Sequence, residues 1–120
     1  MILHERTLIA ANNYANSLVG IDRFEEAKSL LRETVPVTQR VLGANHDFTL
    51  RMRSSYAHAL YNDPSASLDD LREAVTMLEE MERTARRVFG ISHPLTKAFL
   101  SGLPAARTTL GAREAPQEGA

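Results

Sequence analysis

Sliding the sequence along itself brings it into register twice, and this internal repeat limits the possible folds more than any other feature. A shift of 42 places Thr7, Leu8, Tyr14, Ala15 and Leu18 on Thr49, Leu50, Tyr56, Ala57 and Leu60, five of twelve positions. From Phe24 onward a shift of 47 does better. It sets Glu26, Ala27, Leu31, Glu33, Arg40, Val41, Gly43, His46 and Thr49 on Glu73, Ala74, Leu78, Glu80, Arg87, Val88, Gly90, His93 and Thr96. The five residues by which the shifts differ fall in YNDPSASLDD, where Asp63, Pro64 and Ser65 read as loop. A period in this range marks a stacked array of small units, none of which can bury its apolar face alone.

Each unit reads as two helices. In the first half, Leu8, Ala11, Ala15 and Leu18, with Tyr14 beside them, recur at spacings of three and four. The second half does the same with Phe24, Ala27, Leu31, Thr34 and Val41, and again with Leu71, Ala74, Leu78, Met81, Ala85 and Val88. Met77 joins that core face by spacing, while Met52 has no assigned side. Asp22 with Glu25 resembles a capping box, Ser67 with Asp70 is a weaker version, and Gly43 and Gly90 suit the left-handed residue after a helix end. Pro94 belongs in the first turn of a helix, where a missing N–H costs nothing. Two interruptions are expected. Pro36 should kink or break its helix around Val35 to Val37, at a cost of up to ~3 kcal/mol, and Gly102 and Pro104 should stop the last helix short. The organisation is then a first repeat with an N-terminal lead-in over 1–48, and a second over 49–95 with a five-residue loop insertion. A partial third repeat or capping helix follows over 96–111, and a disordered tail over 112–120.

Composition narrows the function classes. The chain has 120 residues, enough for one modest domain, and its 43% apolar and 24% charged residues suit a soluble globular fold. A net charge of −1 supplies no field to gather nucleic acid or an anionic membrane. There is no Cys, which excludes disulfides, thiol nucleophiles and Cys-ligated zinc. The opening MILHER has no signal-peptide pattern, and no apolar run approaches ~18 residues, so a cytoplasmic location is expected.

The repeated text is TLIAANNYANSL, RFEEAKSLLRE and RVLGANHDFTL, followed by TLRMRSSYAHAL, REAVTMLEE and RRVFGISHPLT. This pattern, from about Thr7 to Thr96, resembles the long tetratricopeptide repeat of the kinesin light chain type. The resemblance implies an all-α solenoid of antiparallel helix pairs wound into a right-handed superhelix. The first helix of each pair would line a groove that holds a peptide or a partner helix. It makes Ala15, Ala57, Ala27 and Ala74 packing positions. The groove positions become Ile9, Asn12, Asn16 and Val19 in the first unit and Arg51, Ser54, His58 and Tyr61 in the second, of which Asn12, Asn16, Arg51, Ser54, His58 and Tyr61 are the six expected to contact a partner. Asn12, Asn16 and Ser54 can bond a peptide backbone, and Arg51 can pair with a carboxylate. Asp22 departs from the family, standing in a turn that usually has Gly.

Other features have plainer readings. His4, His46 and His93 occupy equivalent loop positions, which makes them structural, and no metal-ligand spacing appears among them. The carboxylates at Glu25-Glu26, Asp69-Asp70 and Glu79-Glu80 read as first-turn or outward surface. Arg83, Arg86 and Arg87 form a basic stripe, read as solvated. No glycine-rich phosphate loop or nucleophile elbow is present, so no catalysis and no cofactor are expected. The function expected is a scaffold that binds a protein or peptide. The alternatives are a self-associating segment of a longer array, or a regulatory domain of a larger protein.

Overall fold

The computed structural model describes residues 2–115, with side chains from residue 6 onward. Five helices follow one another: α1 (Ile2–Gly20), α2 (Phe24–Leu42), α3 (Asp47–Asn62), α4 (Leu68–Phe89) and α5 (Pro94–Glu114). There is no strand among the described residues. Every helix packs on the next. In addition the first helices of successive pairs touch, α1 with α3 and α3 with α5, whereas α2 and α4 do not. Inner helices that meet while outer helices stay apart curve the stack, and the extents of 58 × 32 × 20 Å are those of a short solenoid.

Alternation of faces along α3 holds the two units together. Leu50, Ala57 and Leu60 point forward into a core shared with α4 and α5, and Met52 and Ala59 point back into one shared with α1 and α2. Met52, unassigned from the sequence, is fully buried in the backward core. Ala15, Ala27, Ala57 and Ala74 are also fully buried, where any larger side chain would push helices apart. Polar bonds reinforce the junction. Thr49 Oγ1 donates to the Gly43 carbonyl at 2.7 Å, and the buried Thr38 hydroxyl contacts Met52 Sδ at 3.1 Å. Lys28, only 3% exposed, reaches from α2 to Asp63 at the end of α3, with Nζ 3.1 Å from Oδ2, and also pairs with Glu25.

Several expectations need correction. α2 is not broken at Pro36, and α5 passes through Gly102 and Pro104 to Glu114. A proline frees the carbonyl four residues earlier. Those carbonyls belong to Arg32 and Leu100, both exposed, as are the prolines themselves, so water can bond them without a break. The helix also takes in 112–114 of the expected tail, and 116–120 lie outside the described residues. The five-residue insertion is divided. The loop 63–67 is two residues longer than the turn 21–23, and the other three residues lengthen the start of α4, which begins at Leu68 although Leu71 is the repeat partner of Phe24. Ser67 and Asp70 close that added turn with a complete capping box.

Asp22 and Glu25 form no such box, because the N-cap of α2 is Arg23, without a side-chain bond. Asp22 instead adopts φ +62 and ends α1. Its N–H bonds the Val19 carbonyl and that of Arg23 bonds Leu18, the Schellman pattern that normally carries Gly, here met by one of the few other residues that tolerate αL. Gly43 and Gly90 have φ +98 and +90 with ψ near 153 and 163, a region open essentially to glycine alone. Val41 and Val88, expected on the apolar face, are 41% and 45% exposed. His46 and His93 cap α3 and α5, each Nδ1 accepting the N–H two residues on at 3.1 Å. The side chain of His4 lies outside those described.

Candidate functional site

The inner surface of the solenoid is made by α1, α3 and α5, and a hollow of about 220 Å³ opens in it. Asn16 reaches it from α1; Ser54, His58 and Tyr61 from α3. These are four of the six residues expected to contact a partner. Ser55, Ala98 and Gly102 complete the walls, and Leu78 of α4 lies beneath. The helical spacing of Ser54, Ser55, His58 and Tyr61 puts them on one side of α3. The same offset that relates Thr49 to Thr96 relates Arg51 to Ala98 and Ser55 to Gly102.

The electrostatics of the hollow are mild. His58 meets Tyr61 edge to face, with ring centroids 5.4 Å apart and an interplanar angle of 88°. His58 is exposed, yet the protein packed around it strips enough water from it to push its pKa below the ordinary 6.5. Burial raises that of Tyr61, against a smaller opposite pull from Asn62. No carboxylate or permanent cation is among the lining residues. A site of this kind can bond and enclose a neutral group. Among the described residues no cluster of His, Asp and Glu could hold a metal ion.

A family model for the tetratricopeptide repeat matches residues 6–80, more than half of the chain. The chain belongs to the tetratricopeptide repeat family. No curated protein and no solved structure matches it. Tetratricopeptide repeats are generally protein-interaction modules without catalytic activity.

Within this tetratricopeptide repeat the other two expected residues sit apart from the hollow. Arg51 is exposed on α3, one turn before Ser54 and Ser55, with no ion-pair partner among the described residues. Asn12 is 9% exposed, so most of it is covered, and its Oδ1 finds no hydrogen-bond partner among the described residues. Of the flanking positions, Ile9 is exposed, and Val19 packs partly against the α1–α2–α3 core. The residues that sequence reasoning missed are Ser55, Leu78, Ala98 and Gly102. The repeat offset from Arg51 pointed to Ala98, whereas Gly102 is the partner of Ser55, which was itself missed.

The charged surface is more tied down than its sequence suggests. Glu79 pairs with Arg107 of α5 at 2.9 Å, Glu80 approaches Arg53 of α3 at 4.0 Å, and Arg72 pairs with Glu114 at 3.1 Å. In the Arg83, Arg86 and Arg87 stripe only Arg86 has an ion-pair partner among the described residues, Glu82. No helix among the described residues is long and apolar enough to cross a membrane.

Proposed function

We propose that this tetratricopeptide repeat is a non-catalytic scaffold that holds a peptide segment or helix of a partner protein along α1, α3 and α5. The carrying observation is the hollow lined from all three of these helices at once. Asn16, Ser54 and His58 offer donors and acceptors to a partner backbone. Arg51, exposed beside them, stands ready for a partner carboxylate, and Tyr61 frames the same surface. A kinesin light chain kind of repeat and a cytoplasmic setting are consistent with this reading.

Proximity labelling in the native cell, followed by binding of the recombinant partner, tests it. Asn16→Ala and Arg51→Ala are each expected to weaken the complex about fivefold, near 1 kcal/mol, with the far-ultraviolet circular dichroism unchanged. Unaltered affinity in the double variant removes the groove from the binding site.

Self-association has one observation in its favour. Tyr14 is 57% exposed, whereas its repeat partner Tyr56 packs against both cores and accepts a bond from Arg32 Nε of the preceding α2 at 3.1 Å. The face of α1 around Tyr14 therefore suits another helix of the α2 kind. This reading expects sedimentation that depends on concentration and is lost in Tyr14→Lys; a monomer at every concentration contradicts it.

A further inference from the structure

Gly102 has no structural reason to be glycine. It lies within α5, it is absent from the positive-φ residues, and a Cβ added to it would meet nothing within 4 Å. A glycine in a helix interior costs stability relative to alanine. Gly20 and Gly111 share the open surroundings, but they lie at or near helix ends, where fraying makes that cost small. What Gly102 does leave is space on the α5 side of the hollow, next to Ala98. In the preceding unit the same two offsets carry Ser55 and the long side chain of Arg51.

We propose that the hollow between α3 and α5 is a socket for one bulky, uncharged side chain of the bound partner, and that Gly102 sets the size it accepts. This rests on the groove reading above. Size supports it: about 220 Å³ is available, and an apolar cavity of roughly 150 Å³ is enough for benzene. Chemistry supports it as well. Leu78 and Ala98 give apolar floor and wall, and the rings of His58 and Tyr61, which also line it, suit a flat or branched hydrocarbon group. Desolvation favours the neutral form of His58, and no carboxylate or permanent cation lines the socket, so a charged group entering it would lose water without meeting an opposite charge. Asn16, Ser54 and Ser55 at the margin are left for the partner backbone. The occupant is thus an anchor residue on a peptide segment, with its charges outside the socket.

The test uses random linear peptides displayed on phage, selected on the full chain and then measured by titration calorimetry. Selected peptides are expected to share a bulky uncharged residue whose replacement by Ala weakens binding about tenfold or more. Gly102→Leu should weaken the parent peptide by a similar factor, and Gly102→Ala by less. The peptide already lacking its anchor should hardly notice either change. Melting temperatures at or above that of the parent protein separate lost space from lost folding, and Gly102→Ala keeps the test open if Gly102→Leu does not fold. Peptides that depend on Asn16 and Arg51 but ignore both Gly102 variants, or that share a charged anchor, overturn the socket and leave the groove standing. Peptides indifferent to every one of these substitutions, or failure to enrich any peptide, overturn the groove reading and the socket with it.

Discussion

Phe99→Ala is expected to destabilise the chain by about 4 kcal/mol, the largest effect of any single substitution considered. Phe99 is the largest of the fully buried side chains, at 1% exposure, and joins α5 to the core made with α3 and α4. Its repeat partner Met52 does the same work one unit earlier with a smaller and more adaptable side chain. Removing the ring leaves a cavity between three helices that cannot close without unseating α5. A domain of this size has about 5–15 kcal/mol in hand, so the urea midpoint should fall by a large fraction at an unchanged slope. Binding should fall too, because Ala98 and Gly102 flank Phe99 and ride on the same helix. A loss under about 1 kcal/mol would mean that α5 is not docked on the solenoid.

Asp63→Ala comes next, at about 3 kcal/mol. The cost arises because it strands the buried ammonium of Lys28 rather than because the intact pair is strongly stabilising. Only Glu25, whose side chain is 78% exposed, would remain beside it. The substitution also removes the acceptor that Asp63 Oδ1 offers to the Ser65 N–H at 2.8 Å. Lys28→Met in the same background removes the stranded charge, and should recover a good part of the loss in a double-mutant cycle. The pH dependence has a definite sign. Burial pulls the Lys28 pKa down, but bonds to Glu25 and Asp63 outweigh it and leave it above the ordinary 10.5. Its contribution is therefore fully present below 10.5 and lost as pH rises through the raised value. The deficit of Asp63→Ala should be level around neutrality and shrink in alkali, because Lys28 of the variant, left with burial and Glu25 alone, gives up its proton before that of the parent does. A deficit that grows as pH rises would contradict the assignment.

The internal repeat made most of the helical framework legible, because matching alanines and leucines at helical spacing record where helices touch. Ala15, Ala27, Ala57, Ala74 and Leu31 are all fully buried. Breakers were harder to read. Pro36 and Pro104 lie on exposed helix faces, where water can take up the freed carbonyl, and exposure is a tertiary property that local pattern does not carry. The insertion misled for a similar reason: Ser67 and Asp70 could cap a helix three residues early only because the loop before them had room for the added turn. At the site, alignment to the repeat located Asn16, Ser54, His58 and Tyr61 on the inner surface. It did not foresee that Asn12 is mostly covered. It also overlooked the hollow, which is a matter of a small side chain at Ala98 and none at Gly102.

The central claim is that α1, α3 and α5 together form the surface that grips a partner. Since the chain has no cysteine, single cysteines bearing a photo-crosslinker can be placed one at a time at inner and outer positions. Asn16→Cys, Ser54→Cys and Ala98→Cys are predicted to crosslink the partner found by proximity labelling, and Arg83→Cys and Arg87→Cys on the exposed side of α4 to leave it untouched. Crosslinks from Arg83→Cys and Arg87→Cys, with none from the three inner positions, would contradict the account.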